Sequence, residues 1–288
     1  MSVERINGAG GTLERVVLRS PGGASAEIYL YGATVTSWKS RGKERLFVSA
    51  RAKLDGSKPI RGGIPLVFPQ FGPGDLPQHG FARTRRWTLL DAAEHGESVV
   101  AHLELRDDAD TRASKWPYSF VVRYTVTLTA TTLSTIMKIE NADVCEFSFT
   151  TLLHTYFRVP AIAETTVGGL DGTLYTDKIR GTAGTREERA QVTMAGNEDR
   201  VYADVPGIVT VGCGGQRVSI RRFNLKDVVL WNPWAEKAAE MSDFGDSEYT
   251  DMICVEPGTV ADKISLRPGQ IISCGQLLAV EDTADAGL

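Results

Sequence analysis

The sequence predicts an all-β protein, a large antiparallel sandwich or barrel with very little helix. Three observations carry this. Apolar residues recur with period two along many short segments, which puts them on one face of a strand. Val, Thr, Ile, Tyr and Phe are frequent there, as a half-buried pleated surface favours. Turn residues separate the segments, and helical spacing is nearly absent.

Taken in order, segments 13–18, 26–31, 87–90 and 99–105 read as strands. The strongest pair follows. Segment 119–128 carries Phe120, Val122, Tyr124, Val126 and Leu128 at every even position, and 132–140 carries Leu133, Thr135, Met137 and Ile139. Thr129-Ala130-Thr131 joins them as a hairpin. Further strands are predicted at 145–159, 208–211, 218–221, 228–231, 252–255 and 271–280, with Gly214-Gly215 as a hairpin turn. The one helix predicted covers 233–241, with Pro233 in its first turn, good helix formers behind it and Gly245 as its stop. The tail, 281–288, is expected to fray. No repeat or linker divides the chain, so one domain is expected over 1–288.

Composition narrows the function classes. The chain has 288 residues, 42% hydrophobic and 24% charged, enough apolar material for one large core and against dominant disorder. Its 32 Lys+Arg against 36 Asp+Glu give a net charge of −4, a poor match to a duplex-binding surface. No apolar run approaches the roughly 20 residues that span a bilayer. The first residues hold early charge and several glycines rather than a signal core. A cytoplasmic monomer with neither nucleic-acid nor membrane partner is expected. Cys145, Cys213, Cys254 and Cys274 form no C-x-x-C pair and are expected to be buried, reduced thiols. His79, His95, His102 and His154 show no H-E-x-x-H spacing, so neither metal nor cofactor is expected. Gly168-Gly169 and Gly214-Gly215 fit no phosphate-loop pattern.

Residues 58–87 break the alternation. They combine prolines and glycines with Phe68, Phe71, Phe81 and Trp87. Aromatics of this type point to an ordered loop, and Arg61, Gln70, Gln78, His79, Arg83, Arg85 and Arg86 suit it to an anion or polar ligand. Of the arginines, Arg61 and Arg83 adjoin apolar residues that tuck them inward; Arg85 and Arg86 are expected one in, one out. The plain alternative is a solvated basic loop.

His154 sits in the strand-like Thr150–Phe157 run, where a ring is either a hydrogen-bonded core group or a general acid or base. Glu256 follows Met252-Ile253-Cys254-Val255 and precedes Pro257-Gly258. A carboxylate at a buried strand's end is costly unless paired or working, and the alternative is simple exposure. Together the two suit proton transfer at one substrate. Asp199 opens a strand-like segment and suits sugar hydroxyls, or a turn. Trp231 and Trp234 suit a sugar ring, or the core.

The blocks Arg61-Gly62-Gly63-Ile64-Pro65-Leu66-Val67-Phe68-Pro69-Gln70-Phe71-Gly72 and Gln78-His79-Gly80-Phe81-Ala82-Arg83 resemble the glucose-6-phosphate 1-epimerases (hexose-6-phosphate mutarotases) of the galactose-mutarotase-like superfamily. The similarity continues through Leu153–Phe157, Asp199–Tyr202, Val229–Trp234, Met241–Asp246 and Cys254–Gly258, nearly the whole chain. The resemblance implies the mutarotase supersandwich. It also implies cofactor-free interconversion of the α and β anomers of a hexose 6-phosphate, with His154 and Glu256 catalytic. By the same resemblance Arg61, Gln78, Arg83 and Asp199 bind substrate, with Asp204 close by as an alternative to Asp199. Pro257-Gly258 departs mildly from relatives with small residues there. An aldose 1-epimerase for neutral sugars, or a non-catalytic carbohydrate-binding sandwich, are the competing readings. Two guanidinium groups argue against the first, and the His154–Glu256 match against the second.

Overall fold

A computed structural model describes residues 2–8 and 13–282; residues 283–288 of the expected frayed tail lie outside the described residues. The described residues form three antiparallel sheets. A five-stranded meander runs from Val3–Ile6 to Lys43–Glu44. A nine-stranded sheet has the hairpin Phe120–Leu128 and Thr132–Asn141 near its middle, flanked by Ile271–Asp282 and Ser98–Arg106. An eight-stranded sheet is built around Met252–Leu266, with Asp227–Asn232 on one side and Phe147–Leu153 on the other. The apolar alternation of 120–128 and 133–139 is buried, and it packs with Phe147, Phe149, Leu153 and Val255 of the eight-stranded sheet in one core. The sandwich expected from period two is therefore present. Among the described residues no helix is long and apolar enough to cross a membrane.

Several elements differ from the sequence-based expectation. The segment 145–159 is two strands, Phe147–Leu153 and Tyr156–Arg158, interrupted at His154-Thr155. The segment 252–255 does not end before Glu256; its strand continues through Pro257-Gly258 to Leu266. The register explains why a proline is tolerated there. Val255 donates its N–H to the Thr155 carbonyl, so by alternation Pro257 turns its missing donor toward the same interruption, where no ladder bond is demanded. The helix is Trp234–Glu240 with Pro233 as N-cap, and it ends because Met241 turns extended, four residues before Gly245. Strand Thr34–Ser40 escaped detection because its buried face carries the hydroxyls of Thr34, Thr36 and Ser40. Of the cysteines, Cys213, Cys254 and Cys274 are buried, but Cys145 is exposed, in the turn where Asp143 caps its N–H.

Candidate active site

A cleft of about 560 Å³ opens over the eight-stranded sheet, lined among others by Arg61, Gln78, His79, His154, Asp199 and Glu256. That volume suits a small polar ligand. The 58–87 segment forms one wall, and it is ordered by its aromatics. Phe68 sits edge-on to Phe81, Trp116, Phe120 and Phe149, with ring centroids 5.3–6.1 Å apart, so the loop is pinned into the core. Two glycines set its entry. Gly62 and Gly63 have φ of +126° and +69°, and a side-chain carbon on Gly63 would overlap the Val35 carbonyl. This close approach delivers Arg61 into the cleft.

The strand interruption delivers His154. Thr155 donates its N–H to the Leu153 carbonyl at 2.8 Å, a tight local turn that takes the chain out of the ladder. The His154 N–H finds the Pro65 carbonyl of the loop at 3.0 Å. The imidazole stacks on Tyr156 at 4.7 Å and meets the edge of His79 at 5.6 Å. Glu256 arrives from the central strand opposite Val229. His154 and Glu256 are 7% and 1% exposed, and Nδ1 lies 3.4 Å from Oε1. Among the described residues, neither His154 Nδ1 nor Glu256 Oε2 has a hydrogen-bond partner.

Burial dominates the electrostatics. It pushes the Glu256 carboxyl well up; Asp199 adds to this, while Lys178 and Arg83 oppose it. It pushes the His154 imidazole well down, helped by His79, Arg83 and Arg61. Contact distance alone suggests an ion pair, but both directions disfavour separated charges. The pair therefore holds one proton, to be described as a unit. His79 is pushed down to about 3, first by burial and then by Arg83, Lys178 and Arg61. The Gly72 N–H donates to its Nδ1 at 3.2 Å, leaving the proton of the neutral ring on Nε2.

The basic residues are not equivalent. Arg61 is clamped: Nε and Nη2 donate to the two Asp243 oxygens at 3.3 Å, and Nη1 to the Tyr156 hydroxyl at 3.3 Å. Burial works against its charge, but Tyr156 and Asp243 outweigh that and hold it protonated. Arg83 donates to the Gln78 carbonyl at 2.7 Å, and its buried Nε has no partner among the described residues. Burial lowers it to about 10. Arg85 and Arg86 point elsewhere, Arg85 half-buried against Asp108 and Asp110, Arg86 exposed against Glu14. Gln78 is exposed, its amide 3.5 Å from His79 Nε2.

Asp199 lines the cleft, with Lys178 Nζ 3.4 Å away. Asp204 does not; it is exposed beside Lys226. The two tryptophans part as well. Trp231 lines the cleft and meets the edge of His154 at 6.1 Å, whereas Trp234 packs on Tyr249. Sequence reasoning missed Lys178, Lys237, Tyr156 and Asp243. Asp243 stands in the quoted Met241–Asp246 block without a role. Lys178 follows a four-residue strand, Leu174–Asp177, too short to show a period, and its Nζ sits 4.3 Å over the Phe71 ring.

Known proteins resemble this chain over most of its length. The pattern of the aldose 1-epimerase family matches residues 14–278. A Cenchrus ciliaris protein provisionally named glucose-6-phosphate 1-epimerase is 39% identical over 269 residues, covering 90% of this chain and 82% of that one. An Escherichia coli K12 protein of the same provisional name is 31% identical over 250 residues, covering 85% and 82%. The crystal structure of a provisionally named mutarotase of Salmonella typhimurium superposes with a TM-score of 0.85 at 27% identity over 97% of each chain. Galactose 1-epimerase of Lactobacillus acidophilus NCFM, 15% identical, shares the fold at a TM-score of 0.73, over 97% of this chain and 98% of that one. With its sandwich, its cleft and a family pattern running from residue 14 to residue 278, the chain belongs to the aldose 1-epimerase family.

Proposed function

We propose that this epimerase interconverts the α and β anomers of a hexose 6-phosphate, D-glucose 6-phosphate first, as a cytoplasmic monomer. The observation that carries the reading is the buried, unpartnered His154–Glu256 pair in a cleft that also presents Arg61. Ring opening needs one proton taken from the C1 hydroxyl and one given to the ring oxygen. Glu256 takes the first. His154 gives the second, in the form of the pair whose single proton lies on the ring. The C1–O5 bond breaks and C1 becomes an aldehyde. Rotation about C1–C2 turns its other face to O5, and closure by the reverse transfers gives the other anomer. The pair ends with one proton, as it began.

Arg61 and Arg83 bind the phosphate, away from the reacting carbon, so that its binding energy fixes the ring. Gln78 and Asp199 hold sugar hydroxyls. Names carried by the Cenchrus ciliaris and Escherichia coli relatives support the phosphorylated substrate.

One observation favours a second reading. Asp243 already neutralises Arg61, so a neutral sugar would leave no uncompensated charge at that residue. Anomerisation of purified α-D-glucose 6-phosphate and of α-D-glucose, followed by polarimetry, separates the two. A kcat/KM larger for glucose than for its 6-phosphate would transfer the assignment to neutral aldoses.

A further inference from the structure

Cys254 has no part in the acid–base reading. It precedes Glu256 by two positions on the same strand, so both side chains project from one face. Its Sγ, a ring nitrogen of His154 and an oxygen of Glu256 all lie within 4.8 Å of one another. All three residues are buried, and two of their polar atoms, His154 Nδ1 and Glu256 Oε2, lack partners. Linear spacing hid this set, because a Cys-x-Glu pair meets a histidine from a different strand segment.

Thiolate, imidazole and carboxylate together are the donors of a soft or borderline dication that prefers four ligands. Magnesium and calcium, which take oxygen shells, do not fit them. His154 and Glu256 line the cleft, which gives a cation both a path and an open fourth position. The charges balance: one thiolate and one carboxylate match a dication, and Arg61 is already matched by Asp243. Lys178 and Arg83 are the opposing charges that remain near the carboxylate.

We propose that His154, Cys254 and Glu256 form an inhibitory site for a divalent cation of the zinc class. The binding rests on the geometry alone; the inhibition also rests on the acid–base reading above. The cation occupies the imidazole lone pair and the carboxylate, so it and the sugar exclude one another. Coordination forms three metal–ligand bonds and displaces two protons to water, one from the thiol and one from the pair. Apparent affinity therefore rises with pH, by up to about 100-fold per unit while both groups are protonated.

The test uses the full chain carrying Cys145→Ser, which removes the exposed thiol. Cobalt(II) alone should give a near-ultraviolet thiolate charge-transfer band, which zinc abolishes and saturating glucose 6-phosphate suppresses. Zinc should lower anomerisation at least tenfold, and a chelator should restore it. Adding Cys254→Ser should remove the band and weaken inhibition at least tenfold, with metal-free activity unchanged. Absence of the band overturns the site, and this outcome stands even if the Cys254 variant fails to fold. Equal inhibition with and without Cys254 also overturns it, since the cation then acts elsewhere. A cobalt band with unaltered activity keeps the binding site but overturns both the inhibition and the acid–base assignment.

Discussion

Gln276 Nε2 donates to Thr155 Oγ1 at 2.9 Å, a buried hydrogen bond from the nine-stranded sheet to the strand interruption, one residue from His154. The interruption gives up a ladder position, and this bond replaces part of what the ladder would have fixed. Thr155 Oγ1 in turn donates to the Leu153 carbonyl at 3.2 Å. The backbone beside the imidazole is thus held from behind by the opposite sheet.

Gln276→Leu should therefore act on chemistry more than on stability. Gln276 Oε1 has no partner among the described residues, so an apolar replacement of similar size should change stability by no more than about 1 kcal/mol. Because His154 loses its backing, kcat should fall several-fold with KM little changed. Steady-state kinetics beside thermal unfolding checks this; a fall in stability with kcat intact would make Gln276 a packing residue only.

Glu256→Gln and His154→Ala should each lower kcat by at least ~10²-fold, the scale of lost acid–base catalysis, with circular dichroism unchanged. Glu256→Gln should also stabilise the fold at neutral pH. The folded carboxyl is pushed above its ordinary 4.5, so the unfolded chain releases a proton that the folded one keeps. Its contribution is fully present below that ordinary value and is lost as pH rises through the folded one. Glutamine cannot ionise and escapes the loss, so the melting temperature at pH 7 should rise.

The pH profile of kcat/KM should be bell-shaped and broad, after correction for the substrate phosphate, which titrates near ~6. Its acid limb is entry of a second proton into the pair, and its alkaline limb is loss of the last one. Burial disfavours the imidazolium of the two-proton form and the carboxylate of the proton-free form, and so spreads the limbs apart. An acid limb centred at or above 6.5 would show an unperturbed imidazole and remove this description of the pair.

Arg61→Ala or Arg83→Ala should cost roughly 1.5–3 kcal/mol of phosphosugar recognition, the range for hydrogen bonds to charged groups. The informative quantity is kcat/KM for glucose 6-phosphate relative to glucose. Asp243→Asn should move that ratio the opposite way, because it frees the Arg61 guanidinium for the phosphate. Ratios unaltered in all three variants would return the site to neutral sugars.

Much of this is legible in the amino-acid sequence. The period-two runs 120–128 and 133–139 fixed the fold class because one sheet face is apolar. The site was legible only through motif resemblance, and its geometry was not. His154 lies within an apparently continuous strand run, and Glu256 just past the end of another. That one run is broken and the other unbroken depends on pairing between distant segments, which periodicity does not record. Lys178 and Asp243 were invisible for a related reason, as their meaning lies in what they face. Gly62 and Gly63 were conspicuous, yet only the Val35 carbonyl explains why Gly63 is required.

The aromatic anchoring of the 58–87 segment bears on how the cleft moves. Phe81 and Ala82 both donate their N–H groups to the Phe68 carbonyl, and the Phe68 ring is wholly enclosed. Amides in ordinary surface loops exchange hydrogen through small local openings, whereas those in a core exchange only when the whole molecule opens. The Phe81 and Ala82 amides, tied to the enclosed Phe68, should belong to the second group. The cleft is therefore a standing cup rather than a closing jaw, and a sugar meets it already shaped.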